Sequence, residues 1–152
     1  MKKLKVVQMV VIFVGILLLS ACGTGITLKH GDNSWQVTKI TTSKVFNVGG
    51  LIEFTAPDGK TFLIIKLKNS SGQCIEHYTS AVYVTDDQGN RYGTGQEVFD
   101  KSGNSYRDIQ FIPGSFQKCD TETIVVLVPE NEQSLHLHFS SMEPMDLSKF
   151  LR

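Results

Sequence analysis

The run from Thr121 to Glu130, TETIVVLVPE, constrains the fold more than any other stretch of the chain. Its apolar core, Ile124 to Val128, is almost wholly β-branched, and such side chains lose freedom in a helix but suit a pleated strand. A strand that is apolar at every position needs cover on both faces, whereas a half-exposed strand alternates. Pro129 ends the run, because proline has no N–H to give to a ladder.

The rest of the chain after residue 25 repeats this texture in weaker form: short apolar runs, alternation, and frequent Gly, Asn, Asp and Pro, with no long helical period. That pattern reads as all-β. In GKTFLIIKLKNSSG, Leu63, Ile65 and Leu67 face a core while Lys66 and Lys68 leave it, and the strand stops at Asn69. In AVYVTDDQGNRYG, Val82 and Val84 share one face and Ala81, Tyr83 and Thr85 the other, before a turn through Asp86, Asp87, Gln88 and Gly89. Gly89 supplies the positive φ that a tight hairpin needs. Weaker strands are expected over 26–30, 35–44, 109–112 and 135–139, giving about seven, the number for a sandwich of two sheets that each bury one face. The tail MDLSKFLR suits one helical turn with Asp146 as N-cap, and no internal repeat stands out.

The amino terminus follows a different logic. Lys2, Lys3 and Lys5 precede an apolar run from Val6 to Leu19, which is shorter than the roughly 20 residues a membrane-spanning helix needs. This is the layout of an export signal. At its end, Leu19, Ser20, Ala21 and Cys22 look like the lipobox of bacterial lipoproteins, in which the peptide is cut before the cysteine and a diacylglyceryl group is attached to its thiol. Two acyl chains hold a protein at a bilayer where one is marginal. The expected organisation is therefore a signal peptide over 1–21, a lipidated Cys22 with a short linker and first strand over 22–33, and one domain over 34–152.

Removing the signal takes three of the 15 basic residues and no acidic one, so 12 face 15 acids and the mature chain carries about −3. A basic nucleic-acid footprint is not expected from that balance. The remaining 131 residues suffice for one domain with a proper core. Two cysteines are left beside the anchor, Cys74 and Cys119, and an even pair in an exported protein invites a disulfide. Two free thiols are the alternative where the exporting cell lacks a strong oxidant.

Several of these stretches together carry a resemblance. Lys68-Asn69 closing a strand, Asp87 to Tyr92 in a hairpin, Pro113-Gly114 in a turn and Val128-Pro129 closing another strand resemble a family of bacterial lipoproteins with a single immunoglobulin-like domain of unknown function. The likeness runs from about Trp35 to Phe139. That family is related in fold to a secreted mycobacterial immunogenic protein, so the resemblance implies an antiparallel immunoglobulin-like β-sandwich and brings no catalytic residue. The antibody Cys, Trp, Cys order is missing, since Trp35 precedes both Cys74 and Cys119.

Chemistry-bearing motifs are few. Ser115 to Lys118 matches S-x-x-K, but without the companion motifs of acyl-transferring serine enzymes it reads as chance. Asn69-Ser70-Ser71 has the form of a glycosylation acceptor and is better read as a turn. Asp86, Asp87, Gln88 and Asn90 offer oxygen ligands for calcium, without EF-hand spacing, and turn chemistry already calls for these residues. His136 and His138 lie two apart on one strand face, with Met142 and Met145 following, a donor set that suits copper. The simpler account puts Leu135, Leu137 and Phe139 in the core and both histidines on the solvent side.

The sequence thus points to a non-enzymatic lipoprotein on the outer side of the cytoplasmic membrane, or in the envelope of a two-membrane cell, that binds a protein or envelope component through a sheet face or loop cluster. No cofactor and no nucleic-acid partner are expected. A copper carrier built on His136, His138, Met142 and Met145 is the alternative.

Overall fold

A computed structural model of the chain describes residues 24–100, 102–115 and 118–151. The export segment and Cys22 lie outside them. Along the described residues run β1 (Thr27–His30), β2 (Asn33–Ser43), β3 (Val45–Val48), β4 (Ile52–Thr55) and β5 (Lys60–Asn69). There follow β6 (Val82–Asp86), β7 (Arg91–Tyr92), β8 (Glu97–Phe99), β9 (Ser105–Arg107) and β10 (Ile109–Ser115). Last come β11 (Lys118–Pro129), β12 (Leu135–Phe139) and β13 (Met145–Asp146). Two short 3-10 segments, Ile75–Ala81 and Ser148–Phe150, are the helical turns among the described residues. The described residues are all-β, and the paired strands run antiparallel.

A five-stranded sheet has the order β1-β2-β5-β11-β10, and a four-stranded sheet the order β13-β12-β6-β7. One core lies between them: Trp35, Val37, Leu63, Ile65, Leu67, Ile124, Val126 and Val128 from the first sheet meet Val82, Val84, Leu135, Leu137 and Phe139 from the second. Trp35 is fully buried, edge-on to Phe139 with ring centroids 5.5 Å apart, and its indole N–H donates to the Gln73 carbonyl at 3.2 Å. Removing the ring of an equally buried residue such as Phe139 costs about 3–5 kcal/mol.

The expectation that each sheet buries one face needs correction for the larger one. Val125 opposes Ile64 and Leu127 opposes Phe62, and these side chains point away from the first core into a second. The hairpins β3–β4 and β8–β9 cover that second face with Phe46, Phe54 and Tyr106. This three-layer arrangement explains why Ile124 to Val128 is apolar at every position. Neither hairpin was legible in the sequence. In the first, Val45, Leu51 and Ile52 are apolar yet solvent-facing, Leu51 at 92% exposure, which erases the alternation. In the second, three-residue strands are too short to show a period.

Two further expectations change. Pro113 and Gly114 lie inside β10, at a register shift against β11, and form a bulge instead of a turn. Proline is tolerated there because β10 is the sheet edge. There is also a local repeat: Asp86 to Tyr92 and Asp100 to Tyr106 both read D-x-x-G-N-x-Y. In each, the first aspartate accepts from two backbone N–H groups and from the asparagine side chain, and its own N–H donates to the asparagine carbonyl. Gly89 and Gly103 take φ of 80° and 84°, the left-handed region open to glycine. At the tail, the N-cap position of the last 3-10 turn is Leu147, which makes no side-chain cap bond, and Asp146 one residue earlier accepts from the Ser148 backbone N–H at 2.8 Å.

Candidate functional site

The outward face of the four-stranded sheet collects the chemistry. In β12 the buried positions are Leu135, Leu137 and Phe139, so His136 and His138 point the other way. In β6 the same alternation buries Val82 and Val84 and turns Tyr83 and Thr85 outward. Directly opposed residues on neighbouring strands share a face. The pairs His138 with Tyr83, His136 with Thr85, Thr85 with Arg91, and His136 with Asp146 therefore lay a continuous row across all four strands.

Contacts within the row are specific. The His138 imidazole stacks on the Tyr83 ring, 4.3 Å between centroids and 8° from parallel. The Arg91 guanidinium lies 3.9 Å from the centroid of the same ring. Because β6 runs between β12 and β7, the His138 and Arg91 side chains reach Tyr83 from the two strands that flank it. His138 Nε2 also bonds Thr85 Oγ1 at 2.9 Å. Burial, then the charges of His136 and Arg91, hold the His138 pKa below its ordinary value, so the ring is neutral at pH 7. His136 Nε2 bonds Asp87 Oδ1 at 2.8 Å, and that bond, with one from Ser134, holds the Asp87 carboxyl below the usual range. Tyr83, Thr85 and Arg91 were not singled out from sequence. Alternation places the first two outward, but only strand register brings the arginine over the tyrosine.

Beside Arg91, where the edge strands β7 and β10 of the two sheets approach, a cavity of about 250 Å³ has Arg107 and Thr94 on its wall. Asp108 fixes this rim by accepting from the backbone N–H groups of Thr94 and Gly95, at 2.9 and 2.7 Å, and from the Thr94 hydroxyl.

The four residues considered for copper are not brought together. Met145 opposes Leu137 and so points to the core side, away from both histidines. The Met142 sulfur accepts from the Lys29 backbone N–H at 3.1 Å. Of the oxygens considered for calcium, both from Asp86 serve the hairpin, accepting from Gln88, Asn90 and the Tyr92 hydroxyl. Cys74 and Cys119 are joined by a disulfide, with Cα atoms 5.2 Å apart. In the S-x-x-K stretch, Phe116, Gln117 and the side chains of Ser115 and Lys118 lie outside the described residues.

No protein-family model, curated protein or solved structure matches this chain.

Proposed function

We propose that the protein is a lipid-tethered, non-enzymatic binding module on the extracytoplasmic side of a membrane, which engages a protein or envelope component through the outward face of its four-stranded sheet. The observation that carries the binding half of this reading is the Arg91–Tyr83–His138 stack. It is a rigid polar and aromatic platform whose members are already held by one another, so little side-chain freedom is left to lose on binding. Aromatic and arginine side chains are also the groups that most often dominate interfaces.

The fold that both halves of the reading assume is an immunoglobulin-like sandwich. Supporting it is the strand order: with β2, β5, β10 and β11 taken as A, B, D and E, the larger sheet follows A-B-E-D, and with β6, β12 and β13 taken as C, F and G, the smaller follows G-F-C. β7 then extends the second sheet as a short C′ strand, and β1 adds an edge to the first. The tether half rests on the lipobox-like Leu19 to Cys22. Thr24, two residues on, already donates a hydrogen bond to the Val37 carbonyl. Two residues span at most about 7 Å, so a lipid on Cys22 would hold the sandwich at the bilayer surface.

The test of the binding face is site-specific photo-crosslinking in intact cells. A benzoylphenylalanine replacing Asp146, exposed on the same face opposite His136, should give a discrete adduct, while the same probe replacing Lys68 on the larger sheet should not. Equal patterns from both positions would remove the sheet face as the binding surface.

A further inference from the structure

We propose that the Cys74–Cys119 pair, once reduced, forms a zinc site with the carboxylate of Glu122. The two sulfurs and a Glu122 oxygen lie within 4.8 Å of one another, the one such group of three His, Cys, Asp or Glu ligands among the described residues. Tetrahedral zinc holds each thiolate about 2.3 Å away, which sets the two sulfurs about 3.8 Å apart. Cysteines whose Cα atoms are 5.2 Å apart meet that spacing by side-chain rotation, with no movement of the strands. The carboxylate has only to approach an ion seated between the sulfurs.

Glu122 is suited to the third position. It is 3% exposed, and its two oxygens accept from the Ile75 backbone N–H at 2.7 Å and from the Asn69 side-chain amide at 3.2 Å. Such outer bonds orient a ligating carboxylate before the metal arrives. Asn69 is itself fixed, because its carbonyl oxygen accepts from the backbone N–H groups of Ser71 and Gly72 and its amide donates to the Gln73 carbonyl. The loop that carries Cys74 is thus held by hydrogen bonds that do not need the disulfide. Two thiolates, one carboxylate and a water complete a four-coordinate site.

The chemistry balances with a dithiol or phosphine reductant. Two electrons and two protons open the S–S bond to two thiols while the reductant is oxidised, and zinc then displaces both thiol protons. The oxidised chain offers no thiolate, so loading is gated by redox state. Lower pH opposes it, because protons compete for the same sulfurs. The proposal does not depend on the tether or on the binding face.

The experiment uses the full-length chain in detergent with Cys22→Ala, which leaves Cys74 and Cys119 as its only thiols. It is reduced with a phosphine and titrated anaerobically with zinc against a chromophoric chelator. One equivalent should bind with Kd below about 1 μM, the oxidised chain should bind none, and Cys74→Ser should abolish binding. Glu122→Gln should weaken binding at least tenfold. Cobalt(II) in place of zinc should give a sulfur-to-metal charge-transfer band and tetrahedral visible bands, a signature independent of how well any variant folds. A reduced chain that binds no more zinc than the oxidised one, cobalt spectra without the sulfur band, or a folded Glu122→Gln with unchanged affinity would each overturn the site.

Discussion

The imidazole of His138 lies flat on the ring of Tyr83, 4.3 Å between centroids, while its Nε2 reaches across to Thr85 at 2.9 Å. A neutral ring suits this place, since burial and the charges of His136 and Arg91 all oppose protonation. As pH falls, the unfolded chain takes up the proton before the folded chain does. The stability this group contributes is therefore complete above its ordinary pKa of 6.5 and is lost as pH drops through the lower folded value. Thermal unfolding between pH 8 and pH 5 should show Tm falling on the acid side, and His138→Gln should flatten that fall. An equal acid slope in the variant would exclude His138 as its source.

The twin turns make a paired prediction. Tyr92 donates its hydroxyl to Asp86 at 2.8 Å, whereas the equivalent Tyr106 hydroxyl is buried without a hydrogen-bond partner among the described residues. Burial, then the charge of Asp100, pushes the Tyr106 pKa up to about 12. Tyr92→Phe should cost about 1 kcal/mol, the ordinary loss of one hydrogen bond, and Tyr106→Phe should be neutral or stabilising. Urea unfolding of both variants checks this, and a larger loss at Tyr106 would contradict it.

Gly114 permits the bulge in β10 to close against β11. A Cβ there would overlap Thr121 Oγ1 and stand 2.8 Å from the Thr121 carbonyl oxygen, and the second atom is backbone that has no rotamer to escape into. Gly114→Ala should therefore destabilise by at least about 2 kcal/mol. Pairing it with Thr121→Ala relieves only the hydroxyl clash and should recover part of the loss. Full recovery would show that the backbone gives way.

Reducing the disulfide without metal opens a loop whose ends are 45 residues apart. The chain-entropy argument sets the loss at up to about 4 kcal/mol. Denaturant unfolding with and without a phosphine reductant, in chelator, measures it directly. No change in midpoint would mean that the reduced ends stay as constrained as the bonded ones.

Copper titration should find no stoichiometric binding tighter than about 10 μM, or roughly −7 kcal/mol. Met145 faces the core, while the Nε2 atoms of His136 and His138 are bonded to Asp87 and Thr85. Tight binding that His136→Ala with His138→Ala removes would reinstate the copper reading.

Sequence periodicity carried the strands whose two faces differ most. Alternation marks β12 to both its bounds, because Leu135, Leu137 and Phe139 alternate with two histidines. The apolar run of β11 announced cover on both faces, yet not the hairpins that supply it, since their own inner residues Phe46, Phe54 and Tyr106 are interleaved with exposed Val45, Ile52 and Phe99. At the candidate site, the shared face of His136 and His138 follows from a spacing of two. The stack on Tyr83 follows from register between strands that lie about 50 residues apart in the chain, information that no local pattern holds. Met145 was misleading for the same reason: its closeness in sequence to the histidines hides the strand pairing that turns it inward.

The tethered-module account stands or falls at Cys22. Cells expressing the full-length chain should incorporate labelled fatty acid into the protein and hold it in the membrane fraction, and Cys22→Ala should abolish the label and release the protein or leave it as uncut precursor. Label retained at full strength in Cys22→Ala, or a native protein that carries no lipid, would contradict the account.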